Sequence, residues 1–159
     1  MHPYGGFWIR VAAYLIDSIV LAIGGGIIGG ILGGVIGVLM ASSGSSDQIA
    51  VVSGLIGNAI GIVINWLYFA ILESSVWQAT LGKKALGLVV TDIDGRRIGF
   101  GRATGRHFAK MVSAIILGIG FMMAGWTERK QGLHDLMAGT LVWKARSPEE
   151  LSQDASVFQ

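Results

Sequence analysis

Arg10 and Asp17 are seven positions apart near the amino terminus, so on a helix they share one face, about two turns or ~10 Å from each other. Tyr14 lies between them on that face. A carboxylate set into hydrocarbon is costly unless it is paired, and such groups mark proton and ion paths. The chemistry this spacing offers is a proton or ion path if the helix carries Asp17 deep into lipid; if the residues before Asp17 lie along the cytoplasmic surface, Arg10 and Asp17 are interfacial groups. Asn58 and Asn65 are also seven apart, with Gly54 and Gly61 on the same face. That polar stripe must turn toward protein or water, either as interhelical glue or as ion ligands.

Other reactive residue types lack a frame. Glu73 closes an apolar run where a charge is cheaply solvated, and His107 and Lys110 read as interface anchors. His134 and Asp135 are neighbours, and adjacent residues on a helix point apart. Three histidines scattered along the chain make no metal site, and the lack of cysteine excludes disulfides, thiolate zinc, iron–sulfur clusters and thiol nucleophiles. Asp92-x-Asp94 could open a calcium loop, but Ala103 stands where its twelfth, acidic position would fall. Gly82-Lys83 lacks the rest of a phosphate loop. No catalytic constellation, cofactor motif or nucleic-acid-binding pattern is present, so the expectation is a protein that is not an enzyme.

The elements that position these residues are set by lipid. Of 159 residues, 52% are hydrophobic and only 14% charged, against about 25% charged in a typical soluble domain; mean hydropathy is +0.62. Residues 18–40 and 49–72 are uncharged runs of 23 and 24 residues. Each exceeds the ~20 residues that a helix needs to cross ~30 Å of hydrocarbon. The first run is too long for a secretory signal core and is expected to remain as an anchor. A third run, 111–125, has 15 residues broken by Gly118 and Gly120.

Basic residues set the orientation. The segment 41–48 has none, whereas 73–106 holds Lys83, Lys84, Arg96, Arg97, Arg102 and Arg106. The amino terminus and the 73–106 loop are therefore expected in the cytoplasm. A third crossing would place Arg129, Lys130, Lys144 and Arg146 outside, against the rule, which weighs toward a re-entrant path; crossing and re-entry both remain open.

Gly25, Gly29, Gly33 and Gly37 recur every fourth residue, beside a second row of Gly26, Gly30 and Gly34, and Gly57 and Gly61 answer in the second run. Small residues four apart let another backbone approach closely, so either a tight helix pair or a homo-oligomer packed through these rows is expected. In the loop, 80–87 reads as a short amphipathic turn on the bilayer surface. Leu88-Val89-Val90-Thr91, the Asp94-Gly95 turn and Arg96-Arg97-Ile98 read as a β-hairpin. Residues 1–146 form the membrane domain, and the polar tail 147–159, without apolar periodicity, is expected to be disordered.

Three separated blocks resemble the RDD family of small bacterial and archaeal membrane proteins. They are Gly6-Phe7-Trp8-Ile9-Arg10 with Asp17, then Gln78-Ala79-Thr80-Leu81-Gly82-Lys83-Lys84-Ala85-Leu86-Gly87-Leu88, and Lys130-Gln131-Gly132-Leu133-His134-Asp135-Leu136-Met137-Ala138-Gly139-Thr140. In that resemblance Arg10 stands for the family's arginine and Asp17 and Asp135 for its two aspartates. It implies a role in transport, including cation/proton antiport. The segment between Arg106 and Trp126 is shorter in apolar length than the resemblance leads one to expect.

The architecture expected is an all-α integral membrane protein of the bacterial inner membrane: two transmembrane helices, a third short or re-entrant helical segment, and a small cytoplasmic β-hairpin. The function expected first is membrane transport, with a scaffold role as its alternative. The first is proton exchange for a monovalent cation at Asp17, tuned by Arg10 or Asn65. The second is a non-transporting scaffold or accessory subunit in which Arg10, Asp17 and Asp135 form a structural cluster. A water-filled pocket at Asp17 would favour the first; a dry, fully paired Asp17 would favour the second.

Overall fold

Long runs of Ile, Leu, Val, Ala and Gly, with no proline to break them, fold into two extended helices, α1 (Phe7–Met40) and α2 (Ser46–Ser74). The computed structural model describes residues 3–40, 46–115 and 119–153. Short elements follow: α3 (Leu81–Ala85), β1 (Leu88–Asp92), α4 (Phe100–Ile115), α5 (Ile119–Trp126), α6 (Leu133–Ala138), β2 (Thr140–Lys144) and α7 (Pro148–Gln153). Among the described residues, two helical stretches, Phe7–Leu39 and Asp47–Ser74, are long and apolar enough to cross a bilayer. The apolar run 111–125 is divided between α4 and α5, and residues 116–118 within it lie outside the described residues. The loop expected at 41–48 is shortened by the start of α2 at Ser46; residues 41–45 lie outside the described residues.

The chain divides into two compact units, Ser18–Leu67 and Met1–Asp17 with Tyr68–Gln159. The first contains 18–40 of α1 and 46–67 of α2, each about 33–35 Å long at ~1.5 Å per residue. Within it Asn58 turns back on its own helix, its amide donating to the carbonyl of Gly54 at 2.9 Å. A groove of about 150 Å³ is lined by Gly25, Gly29 and Gly33 from α1 and by Gly57, Gly61 and Asn65 from α2, with aliphatic walls. A Cβ added at Gly25, Gly29, Gly33, Gly37, Gly57 or Gly61 would meet nothing within 4 Å. The glycine rows therefore do not serve a tight backbone contact between these two helices.

The other unit is built on a two-stranded antiparallel sheet in which Leu88 pairs with Lys144 and Asp92 with Thr140. This corrects the expected hairpin. The Asp94-Gly95 turn is present, with Asp92 Oδ1 accepting from the amides of Asp94 and Arg96 at 3.0 and 2.7 Å. Arg96-Arg97-Ile98, however, forms no strand; a single apolar residue after two arginines cannot cover a β1 whose five residues are all buried. Thr140–Lys144 supplies Leu141, Val142 and Trp143 instead. The amino-terminal segment borders β2, Gly5 donating to the Val142 carbonyl and Lys144 to that of Pro3, both at 2.8 Å.

Two segments 52 residues apart share one construction. Gln78 and Lys130 both have φ of +50°, and the amides of Gln78 and Gln131 donate to the strand carbonyls of Val90 and Thr140 at 3.1 and 2.9 Å. A short helix follows in each, α3 or α6, then a glycine in left-handed conformation, Gly87 (φ +63°) or Gly139 (φ +59°), then β1 or β2. Glycine fits there because a Cβ strains that region.

The tail also differs from expectation. Pro148–Gln153 is helical and Leu151 is buried with Val89, Leu141, Trp143 and Ala145; one leucine is enough to dock the helix although the segment has no apolar stripe. Residues 154–159 lie outside the described residues. Replacing Leu151 by Ala should cost about 2 kcal/mol, the low end for a buried leucine, read as a fall in the melting midpoint of the detergent-solubilised protein. An unchanged midpoint would mean that α7 adds nothing to this cluster.

Candidate functional site

Charged side chains that polar loops would leave in water are here turned inward. Asp17, Glu73 and Asp135 are each at most 1% exposed, and a buried charge is tolerated only when partners satisfy it. Asp17 accepts from the Thr80 hydroxyl at 2.6 Å, the Gly82 amide at 2.7 Å and the Tyr68 hydroxyl at 2.7 Å. Thr80 caps α3, so the first turn of that helix closes over the carboxylate. Gly82 is obligatory for this approach: a Cβ there would lie 2.1 Å from the Ala13 carbonyl oxygen.

The remaining ions form a chain of alternating sign. Arg10 donates to Asp135 Oδ2, to the Gly5 carbonyl at 2.7 Å and to the Lys130 carbonyl at 2.5 Å. Arg106 grips Asp135 Oδ1 through Nε at 2.9 Å and Nη2 at 2.6 Å, and reaches Glu73 Oε2 through Nη1 at 2.6 Å. Lys83 and Lys110 complete Glu73 at Oε1, at 2.6 and 3.4 Å. Lys110 also lies 4.3 Å above the Phe69 ring. The network thereby links α1, α2, α3, α4 and α6.

Burial opposes the charge on Asp135, but Arg106 and Arg10 outweigh it and hold the carboxyl well below the usual range. Burial likewise works against Arg106, and Glu73 and Asp135 more than compensate, raising it. Lys83 goes the other way. Burial, and then the nearby Arg106, push it down to about 7 against the pull of Glu73. Burial takes His134 down to about 3 despite Asp135, so its ring is neutral at physiological pH.

Several expectations change. Arg10 and Asp17 share a helix face but not a partner, since Arg10 is held by Asp135 and Asp17 by α3 and Tyr68. Tyr14 stacks on Phe69 instead. Glu73 is a buried hub rather than a solvated helix end, and Lys110 serves it rather than anchoring at an interface. His107 is 8% exposed, its ring 5.7 Å from that of Phe69. His134 and Asp135 do approach, at 3.4 Å. In the 80–87 segment Leu81, Lys84 and Ala85 are exposed, but Lys83 is buried with Gly82 instead of lying on a solvated face. Asn65 lies in the other unit, along the groove. Among the described residues no group of three histidine, aspartate or glutamate side chains gathers as metal ligands would. The residues to which sequence reasoning gave no site role are Tyr68, Thr80, Gly82, Glu73, Lys83 and Arg106; for Thr80, Gly82 and Lys83 the signal was the 78–88 block that contains them, and for Arg106 the basic cluster beside the apolar runs.

The sequence profile of the RDD family matches residues 4–139, which contain Arg10, Asp17, Asp135 and the whole of the network. The chain belongs to the RDD family. It is similar to three proteins of Bacillus subtilis (strain 168). "Uncharacterized protein YxaI" is 39% identical over 152 residues, covering 89% of this chain and 98% of the relative. "Uncharacterized membrane protein YteJ" is 27% identical, with 89% and 81% covered. "Uncharacterized protein YckC" is 28% identical, with 96% and 93% covered. No solved structure matches the chain. RDD membership and the apolar helices make this a membrane protein, and none of the relatives' names points to catalysis.

Arg106→Ala should destabilise the protein by about 3–5 kcal/mol, because it strands Asp135 and Glu73 as buried charges; a melting shift no larger than that of an exposed control such as Arg96→Ala would contradict the network's role. Lys83 gives a pH signature. Its folded-state pKa of about 7 is below that of a solvated lysine at about 10.4, so between these values the unfolded chain binds more protons and stability rises with pH. Melting curves from pH 7 to 9 should show wild type gaining on Lys83→Met; parallel curves would contradict the assignment.

Proposed function

We propose that this RDD protein is a non-transporting, multi-pass scaffold or accessory subunit of the bacterial inner membrane, with its amino terminus in the cytoplasm, and that it is not an enzyme. What supports this reading is Asp17. Its carboxylate is enclosed, and the three groups on it are donors from the chain itself. A cation carrier needs a carboxylate that can exchange partners; this one joins Tyr68 to the start of α3 as a clamp. The orientation follows from the bias of basic residues toward the 73–106 loop.

The scaffold works as a homo-oligomer in this reading. The rows at Gly25, Gly29, Gly33 and Gly37 are open along their length, and glycine in a helix costs ~1 kcal/mol relative to alanine unless close packing repays it. A second copy is the partner that the spacing suits. Gly29→Leu with Gly33→Leu should shift the detergent-solubilised protein toward monomer in light scattering; an unchanged mass would remove the rows from the interface.

Transport is separated from scaffold by one pair of measurements. Proteoliposomes holding wild type should show no monovalent-cation flux after a pH jump, and Asp17→Asn should lower the melting midpoint or the oligomer yield. Flux in wild type that Asp17→Asn abolishes without change in melting would overturn the scaffold and restore Asp17 as a proton carrier.

A further inference from the structure

We infer that α4, α5 and α6 form a re-entrant layer immersed in lipid, with acyl chains covering its outer face and both of its ends on the side where α1 begins. The first ground is polarity. On these helices Arg106, Ser113, His134 and Asp135 face inward, while Phe108, Met111, Val112, Met122, Leu136 and Met137 are exposed. A helix lying on a protein in water shows the opposite order. A face of this kind, continued over three successive helices with no exposed charge on their described residues from Arg106 onward, fits a solvent of hydrocarbon chains; Arg102, its side chain 48% exposed, lies ahead of it at the start of α4.

The second ground is the path of the chain. The apolar stretch leaves the network at Arg106, which binds Asp135 at 2.6 Å, and Asp135 in turn binds Arg10. It returns through α5 to Lys130, whose carbonyl accepts from Arg10 at 2.5 Å. A Cβ at Gly125 would come within 3.9 Å of Phe7 Cβ. Both ends are thus pinned to the start of α1. From Arg106 the rest of α4 rises about 14 Å and α5 returns about 12 Å, whereas a crossing needs ~30 Å. The exposed indoles of Trp8 (80%) and Trp126 (69%) stand at this same end, as interfacial tryptophans do. This path also keeps Arg129, Lys130, Lys144 and Arg146 with the other basic residues, removing the conflict that a third crossing creates.

The absence of cysteine makes the test direct. Single cysteines at Met111, Met122 and Met137, and at Asp94 as a control in the exposed turn, are spin-labelled in the full chain and reconstituted in phosphatidylethanolamine–phosphatidylglycerol vesicles. At the three methionine positions, collision with oxygen should exceed collision with a chelated nickel ion several-fold, and the order should reverse at Asp94. In oriented membranes Arg129→Cys and Asp94→Cys should react with an impermeant maleimide from the same side. Nickel access at the methionine positions would show a water-facing surface and overturn the proposal. Dipolar broadening among labels at those positions would show a second copy covering the face, and labelling of Arg129→Cys and Asp94→Cys from opposite sides would show a crossing; each also overturns it.

Discussion

Everything in the larger unit depends on the rule that an ion withdrawn from water must find an ion or dipoles in exchange. The sequence Arg10–Asp135–Arg106–Glu73–Lys83 obeys it by alternating signs, so that each interior member is shared by two neighbours. Arg106 is the middle of this chain, and its planar guanidinium suits the task because it can serve two carboxylates at once in fixed geometry. Pairing of this type adds little net stability compared with apolar packing. Its effect is on specificity: with one member displaced, the others are left charged and buried, so few alternative arrangements of α1, α2, α3, α4 and α6 remain open to the chain.

The two segments of like construction explain how so short a chain delivers charges from opposite directions. Each has a left-handed residue before its short helix, a glutamine side chain that ties the turn to the strand, and a left-handed glycine between helix and strand. Because β1 and β2 pair antiparallel, α3 and α6 enter the network as counterparts. Lys83 and Asp135 hold corresponding places in them and carry opposite charge. Lys83 meets Glu73, and Asp135 meets Arg10 and Arg106. Complementary charge on repeated elements lets one geometry satisfy both signs without a separate device for each.

What could be read from the sequence was local. The two apolar runs announced α1 and α2, the Asp94-Gly95 turn is where its residue types place it, and Arg10, Asp17 and Asp135 stood out through their blocks. What could not be read was pairing over distance. Glu73 follows an apolar run, and a charge there is ordinarily solvated; only the fold brings Arg106 to it across 33 residues. Lys83 and Lys84 look alike in sequence, yet the register of one short helix sends the first to Glu73 and the second over the Trp77 ring at 3.7 Å. The strand partner of β1 was missed for the same reason, because a nearby weak candidate at Arg96-Arg97-Ile98 outranks a distant strong one when only local rules apply. Reading 80–87 as an amphipathic turn on the bilayer surface put Lys83 with Lys84 on the solvated side, whereas Lys83 is buried.

The two units divide the physics between them. Ser18–Leu67 contains Asp47 as its one ionisable acid and no lysine or arginine, so it has no ion network with which to define its geometry. In lipid the hydrophobic effect no longer drives helices together, and association rests on close packing and a few hydrogen bonds. The glycines that would permit such packing have open space beside them, and Asn58 spends its amide on its own helix. The other unit has the reverse character, with its buried carboxylates Asp17, Glu73 and Asp135 each held by partners from within the unit. A chain built this way carries its specificity in the ion network of one unit, while the long apolar helices of Ser18–Leu67 contain none.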